Sequence, residues 1–403
     1  MVRIRRRGAG LVGGAILLFL AGTNIQSGWL FVLSSLLVGA ALGGAVVPWL
    51  MVRRVAVERR GPEEAFVGED VVVDLAVTTG GGGKLFVTVR DPHVAPTTVF
   101  VPHVRGGETV VARTERTATR RGVTEAATVE VASAAPFGVA EARRRVACPG
   151  RMVVLPRIVQ LGSVPFLEAG LAAGDEVSAG TRRGEGSEYA GVREYRRGDS
   201  MRRVHWPATA RHGSLVVREV ERERPGALAI VVDTSADAGD RADDTVLDLC
   251  CSVAGSVAVA ALSGGHEVQL TGGRGGTVPP LARLGRAEAL RWLAEVEPTG
   301  GPAMPATLEA VGSPASGPDA YLLVVPTWKA NADLAPAVGS LAASGRRVMV
   351  ALIDTERLGP GAAGLAGAQV DSLERALRSV GATVRRIRTP EDVASLGRGD
   401  ESR

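Results

Sequence analysis

Two apolar segments, "GAGLVGGAILLFLAG" (8–22) and "GWLFVLSSLLVGAALGGAVVPWLMV" (28–52), constrain this chain more than anything else in it. A helix of about 20 apolar residues crosses a bilayer, because lipid offers backbone polar groups no outside partner. The second segment is long enough alone. The first is short and reaches a spanning length only with the polar "TNIQS" (23–27). Together they predict a transmembrane hairpin with a tiny external loop. Arg3, Arg5, Arg6 and Arg7 precede it, Arg53 and Arg54 follow it, and residues 1–54 hold no acid. The positive-inside rule then puts both termini and the soluble domains in the cytoplasm, in a multi-pass protein of the plasma membrane. A basic start, an apolar centre and small residues near Ala21–Gly22 also describe a cleaved signal peptide. No convincing small-x-small site precedes the second segment, so the hairpin is preferred, and either choice leaves residues 55–403 cytoplasmic. Trp29 and Trp49 sit near the ends of the second segment, as interfacial anchors do.

Charge must be read by location. The formal net charge is +4, but six of the basic residues flank the hairpin, so the remainder carries two more acids than bases. The soluble part is therefore not a basic protein, and no nucleic-acid partner is expected. Lys is confined to Lys84 and Lys329, so the basic side is almost all Arg. Cys148, Cys250 and Cys251 have no metal-ligand spacing, and adjacent cysteines rarely pair. They read as buried thiols in a reducing compartment.

The 403 residues are enough for two or three domains. Residues 1–54 are the hairpin with its basic flanks. Residues 55–157 are short alternating segments such as "EDVVVDLAVTT" and "KLFVTVRD", broken by turns such as "GGGGK". They predict a β-sandwich of immunoglobulin-like size. Residues 158–226 are a linker, without periodicity over 162–190, followed by an Arg- and Trp-containing motif. Residues 227–390 alternate strand and helix. "ALAIVVD" is a continuous apolar strand of the kind buried on both faces in a parallel sheet. Helices near 243–262, 286–296, 332–343 and 369–380 separate it from "EVQLT", "YLLVVPT", "RVMVALID" and "TVRRIRT". The pattern is doubly wound α/β. Residues 391–403 are expected to be a disordered tail.

The densest chemistry lies in "VREYRRGDSMRRVHWPATARHGSLVVRE" (192–219). Residues 192–224 hold nine Arg and five acids, interleaved rather than segregated. Asp199 follows Gly198 in a turn, where its carboxylate can accept backbone N–H groups or a bidentate Arg. Trp206 offers a flat face to an Arg, and Pro207 fixes the backbone beside it. The expectation is a loop stitched to the α/β domain by Arg–carboxylate pairs. An RNA-binding platform over 193–211 would want unpaired charge. A hydrolase using Asp199, Ser200 and His205 is disfavoured, because catalytic triads are assembled from separate elements and no G-x-S-x-G elbow is present.

The stretch resembles the hallmark of the domain-of-unknown-function family 58. Arg193, Tyr195, Gly198, Asp199, Arg202 or Arg203, Trp206, Ala210 and Arg211 match its pattern, and "PFG" (136–138) and "VVLPR" (153–157) match two further landmarks. Where that family often has Asp before "PFG", Ala135 stands here. The resemblance implies a von Willebrand factor A-like α/β domain. It also implies a MoxR-type AAA+ ATPase as protein partner, and it defines no reaction.

A von Willebrand factor A domain holds a divalent cation with Asp-x-Ser-x-Ser at the carboxyl end of its first strand. In "VVDTSAD" (231–237) Asp233 and Ser235 match, and Asp237 replaces the last Ser. Mg²⁺ is therefore the one candidate cofactor, on hard oxygen ligands. The plainer reading is that Asp233 and Ser235 cap a turn and the following helix. "TGGRGGT" (271–277) lacks the G-K-[ST] of a P-loop, and the five His show no ligand spacing. Asp354 ends its strand with no partner visible in the sequence. The sequence thus points to a non-enzymatic, membrane-anchored scaffold or adaptor. A metal-dependent enzyme at Asp233 and an RNA platform are the alternatives.

Overall fold

A computed structural model describes residues 2–4, 6–162, 164, 166, 183–184, 188–195, 201, 204–221, 226–234, 246–272, 282–297, 303–311, 317–327, 333–354 and 367–397. It divides into two units. One is Met1–Arg157 with Leu290–Val296, and the other is Ile158–Ala289 with Glu297–Arg403.

The first unit opens on a short strand β1 (Val2–Ile4), followed by helices α1 (Arg6–Ile25) and α2 (Gly28–Val52). Both helices are long and apolar enough to span a bilayer. Polar Thr23 and Asn24 continue α1, as the short first segment requires, and only Gln26 and Ser27 separate the helices. Gln26 takes the left-handed conformation that so tight a reversal needs (φ 52°). Ser34 Oγ, buried in the hairpin, donates to Ala15 O at 2.8 Å. Phe19 and Phe31 meet edge to face. The chain is a membrane-anchored, multi-domain protein.

Eight strands follow: β2 (Val55–Arg60), β3 (Glu64–Phe66), β4 (Asp70–Thr79), β5 (Lys84–Asp91), β6 (Thr97–Val104), β7 (Thr109–Thr117), β8 (Gly122–Ser133) and β9 (Ala140–Leu155). One sheet has the order β1-β9-β8-β5-β6, with β3 also on β9, and the other is β2-β4-β7. Alternating Val and Leu residues of both sheets (Val71, Val73, Leu75 and Val77 against Val87, Val89, Val129 and Val131) fill one core. The basic N-terminal flank is therefore more than a flank. Val2 pairs with Ala142 and Ile4 with Ala140, which ties the start of the chain to this sheet.

That core contains a charged network. Asp91 is fully buried. It accepts from Arg59 Nε (3.0 Å) and Nη2 (2.7 Å), Arg116 Nη1 (3.0 Å) and the His93 backbone N–H (3.0 Å). Arg59 comes from β2 and Arg116 from β7, so Asp91 at the end of β5 links the two sheets. Burial works to raise the Asp91 carboxyl, but the Arg59 hydrogen bonds, the His93 N–H and the two guanidinium charges together hold it below its ordinary value. Burial, with Arg59 and Arg116, pushes the His93 imidazole down against the opposing pull of Asp91. All three cysteines are buried, and burial pushes the Cys148 thiol up.

In the second unit the expected linker includes a small sheet of β10 (Arg183–Gly184), β11 (Glu188–Glu194) and β12 (Val216–Glu221), in the order β10-β12-β11. Helix α3 (Trp206–His212) lies between β11 and β12 in sequence. Then come β13 (Ala227–Val232), α4 (Val246–Ser263), β14 (Glu267–Gly272), β15 (Ala282–Arg283), α5 (Arg286–Glu295, which from Leu290 onward belongs to the first unit), α6 (Met304–Val311), β16 (Ala320–Pro326), α7 (Leu334–Ala343), β17 (Arg347–Ile353), α8 (Gly367–Ser379) and β18 (Thr383–Ile387). The sheet order is β15-β14-β13-β16-β17-β18, and every pairing is parallel except that of β15 with β14. Residues of α6, α7 and α8 pack with Ala229, Val231, Leu323, Val325 and Val350 on one face. Helix α4 contacts β13, β14, β16 and β17. Its composition alone would let it cross a membrane, yet Cys250, Cys251, Val253, Ala254, Val257 and Ala258 are all fully buried.

The expected disordered tail needs correction over 391–397, while 398–403 lie outside the described residues. Pro390–Gly397 forms a 3₁₀ helix with Val393 and Leu396 buried. The two apolar residues recur at i, i+3, the repeat that puts 3₁₀ side chains on one face. Asp392 Oδ2 accepts from the Arg388 and Thr389 backbone N–H groups at 2.9 Å each and fixes the entry to the turn.

Candidate functional site

The motif over 191–221 folds as strand, helix, strand. In β11, Arg193 pairs with Val217 and Glu194 with Val216, and Tyr195 N donates to Leu215 O (2.7 Å). Val204 bridges Val217, and His205 N donates to Val216 O (2.8 Å). Helix α3 begins at once, because His205 caps it: its Nδ1 accepts from the Ala208 N–H at 3.1 Å, and Pro207 lies in the first turn, where a missing N–H costs nothing. It ends at Gly213, in the left-handed conformation (φ 68°), whose N–H reaches Thr209 O. Thr209 Oγ1 accepts from Val216 N at 3.0 Å and anchors the helix to β12. Val204, Val216 and Val217 are buried beneath it.

The outward residues of this module are unusual for their chemistry. Trp206 is 62% exposed, Met201 54% and Leu215 38%. Ala210 and Arg211 are exposed as well, and Tyr195 is half-buried. Trp206 and Ala210 are four apart and share one face of α3. The sequence picture of a Trp covered by an Arg gains no support among the described residues, whose cation–π contact is Arg53 over Trp49 at 4.3 Å. Gly198, Asp199, Ser200, Arg202 and Arg203 lie outside the described residues, as does the Arg193 side chain, and with them the expected Arg–carboxylate stitching. His205 Nδ1 is committed to the cap. Met201 and Leu215 had no place in the motif reading. Their signal in the sequence is two large apolar residues flanking a helix in a stretch otherwise rich in charge.

The second candidate is the carboxyl edge of the parallel sheet. Asp233 and Thr234 follow β13, Thr271 lies near the end of β14, Thr327 follows β16 and Asp354 follows β17, all of them buried. Backbone bonds continue the sheet here, from Asp233 N to Val324 O (3.0 Å), Thr327 N to Ile353 O (2.9 Å) and Asp354 N to Ile387 O (2.8 Å). Carboxyl ends of strands are where open α/β sheets bind ligands. Asp233 and the Thr hydroxyls are oxygen donors of the hard type that Mg²⁺ takes. Asp354 is a carboxylate of the same type, but it is engaged by arginines. It has the partners the sequence did not reveal, since its Oδ2 accepts from Arg386 Nε (2.9 Å) and Arg388 Nε (3.3 Å). Ser235 and Asp237, like 273–277 of the Gly-rich stretch, lie outside the described residues. Among the described residues no group of three His, Cys, Asp or Glu gathers around one point. The visible donors fit a cation only in part.

Residues 191–384 match the family described as "Protein of unknown function DUF58". Comparison with curated proteins gave no match. Among solved structures, the chain is similar to the conserved hypothetical protein BatB from Bacteroides thetaiotaomicron at 11% identity and a TM-score of 0.31, over 42% of this chain and 98% of that one. It is similar to an aerotolerance-related membrane protein from Bacteroides fragilis at 14% identity and a TM-score of 0.31, over 42% and 94%. It is also similar to the CARDB domain of the PF1109 protein from Pyrococcus furiosus at 17% identity and a TM-score of 0.17, over 23% and 86%.

Proposed function

We propose that this chain, a DUF58 protein by its residues 191–384, is a non-enzymatic, membrane-anchored scaffold whose cytoplasmic units bind a protein partner through the Trp206 face of α3. One observation carries the reading: Trp206 is exposed, as are Met201 and Leu215 on either side of α3 in sequence, on a module held together by other residues. Aromatic side chains set in such surroundings are the anchors that dominate binding energy. The Arg residues on both flanks of the hairpin support cytoplasmic placement. The order β15-β14-β13-β16-β17-β18, with an antiparallel edge strand and helices on both faces, supports a doubly wound, von Willebrand factor A-like reading of the α/β unit. A MoxR-type AAA+ ATPase is the partner class that the family resemblance implies.

The test is binding of a purified MoxR-type ATPase to the full chain in lipid nanodiscs. Trp206→Ala is expected to weaken binding about 30-fold, as loss of an interface anchor of about 2 kcal/mol does. Equal affinity for wild type and variant would sink the reading.

A second reading rests on the burial of Asp233 beside Thr271 and Thr327 at the sheet's carboxyl edge. It has Mg²⁺ bound by Asp233, Ser235 and Asp237. Isothermal titration of Mg²⁺ into wild type and Asp233→Ala decides it, and equal heats from the two end it.

A further inference from the structure

One end of the β1-β9-β8-β5-β6 sheet is also the end from which both apolar helices leave. Ile4 pairs with Ala140 just before α1 begins. Where α2 ends, Lys84 Nζ donates to Leu50 O at 2.7 Å, and Leu85 N lies 3.3 Å from Met51 Sδ. The pairings Val87↔Ser133 and Lys84↔Val104 bring the 134–139 turn, residues 84–86 and the turn after Val104 to this same end.

Large apolar side chains are exposed there: Leu85, Phe86, Phe100 and Phe137, the last at 59%. Phe86 and Phe100 stack with centroids 6.2 Å apart. Phe137 sits at the top of a turn closed by Gly138 N to Ala134 O (2.8 Å). Two residues on, Val139 packs on α2 so tightly that a Cβ on Gly44 would lie 2.8 Å from Val139 Cβ.

Depth follows from helix geometry. At about 1.5 Å per residue, Gly44 lies about 12 Å before Val52, and the 25 residues of α2 run about 37 Å. A hydrocarbon core is about 30 Å thick, so even if all the excess of about 7 Å protrudes on this side, Gly44 remains about 5 Å inside it. A turn fastened beside Gly44 therefore reaches the lipid boundary. Arg53, Arg54 and Arg105 are exposed at this end, with Arg53 over Trp49. Aromatic residues and cations together are what a headgroup layer accommodates.

We propose that the 134–139 turn inserts Phe137 into the bilayer interface. Leu85, Phe86 and Phe100 extend that contact, and Arg53, Arg54 and Arg105 meet lipid phosphates. The β unit is then held flush on the membrane, not suspended from it. This rests on the reading that α1 and α2 span the bilayer.

The test uses the full chain in vesicles of phosphatidylcholine with a minority of phosphatidylglycerol. Phe137→Cys carries an environment-sensitive fluorophore. Cys148, Cys250 and Cys251 are buried, and the unsubstituted chain, labelled alongside, measures their background. Leu36→Cys, on the exposed surface of α2, reports the span, and Val72→Cys, exposed toward the far end of β4, reports water. The 137 probe is expected to shift to the blue and to be quenched by spin-labelled lipid but not by iodide. Iodide quenching equal to that at 72 overturns the proposal, and so does shielding from both quenchers, which would mean a protein contact. If the Leu36 probe itself escapes lipid quenching, the spanning reading has failed. If that probe is quenched and the 137 probe is not, only the insertion has failed.

Discussion

Replacing Asp91 with Asn tests the charged network that ties the two β sheets together. The substitution is nearly isosteric, so its effect is electrostatic. Oδ1 can remain a carbonyl that accepts from Arg59 Nη2 and His93 N, but the Oδ2 position becomes an amide NH₂ facing Arg59 Nε and Arg116 Nη1. Donor then meets donor. Two guanidinium groups with side chains 4% and 1% exposed also lose their counter-charge. Breaking a buried pair from one side costs about 3–5 kcal/mol, because the orphaned charge stays desolvated. For a unit of this size about 1 kcal/mol lowers Tm by about 2–4 °C, so the expected drop is about 6–20 °C. The assay is thermal unfolding of the full chain in nanodiscs at neutral pH, with hydrogen exchange at β5 and β7 to assign the loss to this unit. The Asp91 carboxyl is held below its ordinary value, so its contribution is complete above the unfolded carboxyl's pKa of about 3.9 and is lost as pH falls through the folded value. Wild type and Asp91→Asn should converge in strong acid. A Tm within about 2 °C of wild type at pH 7 would mean that the arginines are hydrated and that the burial argument is wrong.

Two further outcomes follow from the same unit. His93 is held neutral by burial and by Arg59 and Arg116, so the unfolded chain binds the extra proton below about pH 6.5. Stability should fall as pH drops from there through the folded value, and His93→Gln should flatten that slope in a Tm series from pH 8 to 5. Gly44→Leu forces its new Cβ into Val139, at an overpacking cost of about 1–3 kcal/mol. Faster hydrogen exchange over residues 135–140 is the readout, and unchanged exchange would show that the helix and the turn do not touch.

The hairpin and most strands could be read because each has a period or a length that only one environment satisfies. Length alone fails for α4, which is as apolar as a membrane span. The strands "ALAIVVD" and "EVQLT" on either side of it identify a crossover helix buried on a parallel sheet. Helix α6 and strand β15 escaped because eight and two residues are too short for a pattern to emerge. The Asp91 network escaped for a different reason. Asp91 continues the inward parity of Val87 and Val89, Arg59 that of Val55 and Val57, and Arg116 that of Val110 and Ala112. Parity therefore placed all three in the core. What hid them is the habit of reading a charge as outward, when one acid and two bases at inward positions of three strands are a paired network waiting to close.

The charged motif inverts that lesson. Its nine arginines suggested that charge pairing is its content, yet what fixes the described part is weakly polar. The His205 cap, the Thr209 hydroxyl on Val216, Gly213 in its left-handed turn and three buried valines define α3 without using Trp206. A tryptophan contributes most to stability when its large ring is buried, and this one leaves 62% of itself in water. Packing within the chain does not account for its presence, so the ring is the residue to which a role outside the chain most economically belongs. It follows that contact and fold are separable here. Trp206→Ala removes the exposed ring and leaves the cap, the hydroxyl anchor and the valine layer in place, so any loss of binding it causes cannot be put down to loss of the module.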